Sequence, residues 1–83
     1  MLGLSVAPPQ VAGNAPRCVI TGTEEVLIEG HTGLFSYETE RIRVRTEKGL
    51  WTVTGRGLII SFFGVRDLLI RGEVTGVEME GAT

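Results

Sequence analysis

Arg41, Arg43 and Arg45 stand at alternate positions of the stretch ERIRVRTEKGLWTVT, Glu40 to Thr54, separated by Ile42 and Val44. On a strand this spacing puts three guanidiniums on one face, about 7 Å apart, where they can meet phosphate or carboxylate oxygens. They are the candidate polar surface of the chain. Glu38, Glu40 and Glu47 are close enough in sequence to neutralise it across strands, and a solvated, partly ion-paired strand face is the reading this favours. The alternative is a small β-domain that binds nucleic acid through the arginine-lined strand.

No other residue type reaches the density that catalysis or metal binding needs. His31, in Gly30-His31-Thr32-Gly33, is the only histidine and Cys18 the only cysteine, so the ligand set of a transition-metal site is missing. His31 reads as a residue that fixes a turn by hydrogen bonds. Cys18, beside Val19 and Ile20, reads as a small buried hydrophobe. Ser5, Ser36 and Ser61 stand in no nucleophile motif, and Glu24-Glu25 looks like a surface turn. The expectation is a protein that is not an enzyme, with no catalytic residues, no metal and no cofactor.

The chain has 83 residues, with ten acidic and eight basic side chains and a net charge of −2. That length suits one domain with one small core, whose stability gains from good packing or from a partner. The slight net acidity supplies no general attraction for nucleic acid or anionic lipid. Residues 1–13 lack a basic flank and a continuous apolar run, so neither an export signal nor a transmembrane segment is expected.

The elements that must position these side chains are short strands. Pro8, Pro9, Gly13 and Pro16 predict an extended arm over residues 1–16. Residues 17–80 predict an all-β domain and residues 81–83 a short tail. Runs rich in β-branched residues alternate with turn signals at Gly22–Glu25, Gly30–Gly33, Thr39-Glu40, Glu47–Gly49, Gly55–Gly57, Gly64–Asp67, Gly72 and Gly76. They divide the domain into seven or eight strands. Gly30, His31, Gly33 and Gly49 are the residues expected to build turns.

The hairpin around Glu47–Gly49 fixes a register. Pairing Arg45 with Leu50 sets Val44 against Trp51 and Ile42 against Val53, leaving three arginines and two threonines on the other face. Trp51 then lies opposite the arginines, which removes the aromatic platform a single-stranded nucleic-acid binder would use. Val74, Val77 and Met79 can share a face only through an extra residue, which predicts a bulge near Gly76. An antiparallel meander forming a sandwich or roll is the preferred architecture, and a short β-solenoid is the alternative.

Leu58-Ile59-Ile60, Phe62-Phe63 and Leu68-Leu69-Ile70 are apolar on both strand faces. One small core takes one face of each. Ile59, Phe62, Phe63 and Leu69 are therefore the candidate interface, for a partner or for a homo-oligomer.

The order of segments resembles the YabP/YqfC family of sporulation proteins, closer to its YqfC branch. The resemblance runs from residue 16 to about residue 80. Its residues are Pro16-Arg17, Val19-Ile20-Thr21-Gly22, Glu25 to Gly33, Tyr37-Glu38, Ile42 to Thr46, Gly49, Val53-Thr54-Gly55, Leu58-Ile59-Ile60 and Leu69 to Val74. What the resemblance implies is a non-enzymatic structural or adaptor protein in the cytoplasm of the mother cell. It further implies association with the membrane through a membrane-bound YqfD-like partner.

Overall fold

The computed structural model describes residues 15–81, which form six antiparallel strands and no helix. The strands are β1 (Arg17–Thr21), β2 (Glu25–Glu29), β3 (His31–Glu38), β4 (Arg41–Thr46), β5 (Gly49–Phe63) and β6 (Asp67–Gly81). They form a single open sheet in the order β1-β2-β6-β5-β4-β3. Most of the predicted arm, residues 1–14, and the end of the predicted tail lie outside the described residues.

The β4–β5 hairpin has the register that its alternation dictates. Arg45 pairs with Leu50, Val44 with Trp51 and Ile42 with Val53. Thr46 pairs with Gly49, so the loop is the two residues Glu47 and Lys48. The Thr46 hydroxyl donates to the Gly49 carbonyl at 2.8 Å and accepts the Lys48 N–H at 3.1 Å, which fastens the loop.

Six strands stand where seven or eight were expected, because two glycine-marked turns are bends within long strands. β5 runs through Gly55–Gly57 and β6 through Gly72. The two backbones approach each other so closely there that side chains are excluded. A Cβ on Gly55 would lie 2.0 Å from the Glu73 carbonyl oxygen, and one on Gly72 would lie 2.7 Å from that of Gly57. Glycine here reports backbone proximity rather than reversal. Gly30–Gly33 is likewise no turn. Gly30 alone joins β2 to β3, and His31 and Gly33 are residues of β3.

A single-residue link between strands that stand second and sixth in the sheet forces the sheet to curl. Spread flat, those strands would be about 19 Å apart, four strand spacings, whereas Glu29 and His31 are two residues apart. The bend in the β5–β6 hairpin is the fold line. On one side of it lie β1, β2, and the halves of β6 and β5 that contain Leu68–Ile70 and Ile59–Phe63. On the other side lie β3, β4, and the halves of β5 and β6 that contain Leu50–Thr54 and Gly76–Glu80. Both hairpin turns are bonded to the fold line. Gly55 and Leu58 donate to the Glu40 and Thr39 carbonyls, and Gly72 and Val74 donate to those of Glu24 and Thr23. The result is a roll, and the antiparallel ladders exclude the solenoid.

The core fills the concave side. Val26, Ile28, Ile42, Val44, Trp51, Val53, Leu58, Leu68, Ile70 and Val74 are buried in one cluster drawn from both layers. Along β6 the inward residues are even-numbered as far as Val74, whereas Val77 also packs on the core. The change of parity comes from the predicted bulge, which falls at Thr75: Thr54 pairs with Gly76, and Gly55 with Val74.

Candidate functional site

On the convex face of the β1–β2 layer, the registers place four apolar side chains in one row across four strands. Val19 pairs with Leu27, Leu27 with Leu69, and Leu69 with Phe62. Val19, Leu27 and Leu69 are half-buried by their neighbours, and Phe62 is 55 % exposed. Ile59, opposite Arg71 in the adjoining row, is 52 % exposed. Ion pairs flank the row on either side. Arg17 meets Glu29 at 3.5 Å, and Arg71 meets Glu25 at 3.2 Å. An apolar centre inside a charged margin is the anatomy of a protein–protein contact.

Of the four interface candidates, Ile59, Phe62 and Leu69 come together on this face, and Phe63 does not. An irregularity between Ile60 and Phe62 sets Phe63 opposite the buried Leu68. Its ring lies 5.2 Å from that of His31. Val19 and Leu27 complete the row and were not singled out from sequence. The available signal was their place at the centre of two short strands whose other face is apolar too.

His31 belongs to the framework. Its side chain is 7 % exposed and its Nε2 donates to the Gly64 carbonyl at 2.8 Å, while Nδ1 is buried without a hydrogen-bond partner among the described residues. The backbone N–H groups of Gly30 and His31 both donate to the Arg66 carbonyl, at 2.7 and 3.0 Å. The β2–β3 link is thereby clamped to the β5–β6 turn. Cys18 packs half-buried on the core, and burial pushes its thiol pKa up. Among the described residues, no group of three or more His, Cys, Asp or Glu side chains gathers as a metal site.

The arginines lie on the convex face of the other layer, as their alternation requires. Arg41 reaches Glu38 at 3.9 Å. Arg43 and Arg45 instead lie over the ring of Phe35, at 5.8 and 4.9 Å from its centroid. Such stacking contributes about 0.5–1 kcal/mol at an exposed site. The expectation that no aromatic accompanies the arginines is corrected here. Two irregularities in the β3–β4 ladder, one at Thr32 and one at Phe35, turn Phe35 onto the arginine face. Beside it is a shallow groove of about 310 Å³, lined by Thr32, Phe35, Arg45, Thr46, Gly49 and Leu50.

No helix among the described residues is long and apolar enough to cross a membrane. No solved structure matches the chain. A protein of Bacillus subtilis (strain 168) described as "Uncharacterized protein YqfC" is 25 % identical over 67 residues, which is 81 % of this chain and 72 % of that protein. The YabP family profile matches residues 14–83. With the match spanning the whole six-stranded sheet, the chain belongs to the YabP family.

Proposed function

We propose that the protein is a non-enzymatic structural or adaptor module of sporulation, made in the mother cell, that docks a membrane-bound protein similar to YqfD. Membership of the YabP family and the likeness to YqfC support the sporulation setting. The observation that carries the docking role is the row Val19–Leu27–Leu69–Phe62 on a sheet face that no other strand covers among the described residues. Burying a fully exposed side chain of this size gains about 1.5–3 kcal/mol; Phe62, 55 % exposed, and the half-buried Val19, Leu27 and Leu69 each have part of that gain left, and the row concentrates it at the centre of one contact. On this reading the protein is cytoplasmic and reaches the membrane through its partner. The test is co-purification with membranes of sporulating cells, with and without the YqfD-like protein. Recovery only in its presence, lost in Phe62→Glu, is expected. Equal recovery in its absence excludes this partner.

A second reading is favoured by one observation, the stacking of Arg43 and Arg45 on Phe35. An aromatic ring beside two guanidiniums can hold a base against the sheet while the cations meet phosphate. Glu78 and Glu80, opposite Thr52 and Leu50 on the same face, oppose a long polyanion. A titration with single-stranded oligonucleotide at two salt concentrations decides it. Salt-dependent binding lost in Arg43→Glu supports this reading, and no binding at low salt ends it.

A further inference from the structure

The sheet is open, and its free edges differ in how they are protected against added strands. β3 carries two register shifts, at Thr32 and Phe35. It also contacts β5 through the Tyr37 hydroxyl, which accepts the Ile60 N–H at 3.4 Å. The half of β6 beyond Val74 carries a bulge at Thr75 and the carboxylates of Glu78 and Glu80. Bulges and charges are the devices that keep strand edges from pairing.

β1 has neither. Its ladder to β2 runs from Arg17 to Thr21 without a shift, and its sequence, RCVIT, holds one charge, at its end. Among the described residues no strand pairs with its outer edge. Ile20, on the core side of that edge, is 52 % exposed although its neighbours across β2 and β6, Val26 and Ile70, are fully buried.

We infer that β1 pairs antiparallel with β1 of a second copy of this chain, about a two-fold axis through Val19. In that register Val19 faces Val19, Cys18 faces Ile20, and Arg17 faces Thr21, so no like charges meet. The half-exposed Ile20 gains an apolar neighbour from the other copy. The two β1–β2 layers become one continuous layer, and the apolar rows on its convex face join end to end through Val19. A five-residue edge buries less than the about 800 Å² per partner of a standard interface, which makes the dimer a weak, reversible one. The pairing uses the strand edge and stands apart from the docking role of the convex face.

The test uses the full chain. Analytical ultracentrifugation across the micromolar range is expected to show a monomer–dimer equilibrium that Ile20→Lys shifts to monomer, with circular dichroism reporting whether that variant is folded. In a Cys18→Ser background, Val19→Cys should form a disulfide-linked dimer, because residues directly opposite have Cα atoms about 4.5–5.5 Å apart, within disulfide reach. Thr21→Cys, whose two copies would lie more than about 13 Å apart, should not. A strict monomer throughout, equal crosslinking at both positions, or a dimer that folded Ile20→Lys leaves intact overturns the inference. Phe62→Glu should keep the dimer while losing the membrane partner. Dimer loss in Phe62→Glu but not in Ile20→Lys would place self-association on the face and also overturn it.

Discussion

The Nε2 of His31 donates to the carbonyl oxygen of Gly64 at 2.8 Å, across 33 positions of sequence. This bond, with the two backbone bonds to Arg66, holds the β2–β3 link against the β5–β6 turn. Replacing His31 by Ala leaves the Gly64 carbonyl without this donor and removes the packing on Phe63. A loss of about 1–3 kcal/mol is expected in chemical denaturation. Partner recovery should be unchanged under conditions where the variant is folded.

The glycines at the fold line should behave unlike glycines elsewhere. Gly55→Ala brings a methyl group onto the Glu73 carbonyl, and only a backbone shift can relieve the clash. That variant is expected to lose more than about 3 kcal/mol or fail to fold. Gly81→Ala, with nothing within 4 Å of the added carbon, should stay within about 0.5 kcal/mol of the parent. Thermal melts of the two variants decide this.

Leu68 and Leu69 are identical neighbours on opposite faces. Leu68→Ala opens a cavity in the core and should cost about 2–5 kcal/mol. Leu69→Ala should cost clearly less, because its side chain lies on the convex face. Loss of partner recovery should follow the second substitution at a temperature where both variants are folded. Equal destabilisation by the two would make Leu69 a core residue.

Burial disfavours the thiolate of Cys18, so its pKa is raised from 9.0 in the folded chain. The unfolded chain then releases the proton at lower pH than the folded one does. This contribution to stability is present below about pH 9, and it declines as pH rises through the interval between the unfolded and folded values. Two outcomes are expected. Thiol labelling is slower in the native protein than in denaturant at the same pH, and Cys18→Ala flattens the alkaline fall in stability.

The hairpin around Glu47–Gly49 was legible because alternation, turn residues and burial all concern a dozen neighbouring residues. The bulge near Gly76 was legible for the same reason, since Val74 and Val77 set the parity conflict locally. Gly55–Gly57 and Gly72 were misread as turns because their cause is distant. Gly55 and Gly72 are glycine because a backbone some fifteen or more positions away lies against each, whereas Gly57 has nothing within 4 Å of an added carbon and takes a left-handed φ of 58°. The site divides in the same way. Ile59, Phe62 and Leu69 could be read from apolar character on both faces. The removal of Phe63 to the His31 side and the arrival of Phe35 on the arginine face depend on ladder irregularities that sequence spacing does not mark.

β6 lies between β2 and β5, and it is also the last strand of the described chain. During synthesis the β1–β2 hairpin and the β3–β4–β5 meander therefore leave the ribosome before the strand that joins them. Until β6 emerges, Val26 and Ile28 on one piece and Trp51 and Val53 on the other have no continuous sheet to share. Folding of the sheet waits for β6, with long-range pairings such as Glu25 with Arg71 formed late. A nascent chain stalled before residue 67 would present a sticky hairpin and a sticky meander to the cell's chaperones in place of a domain.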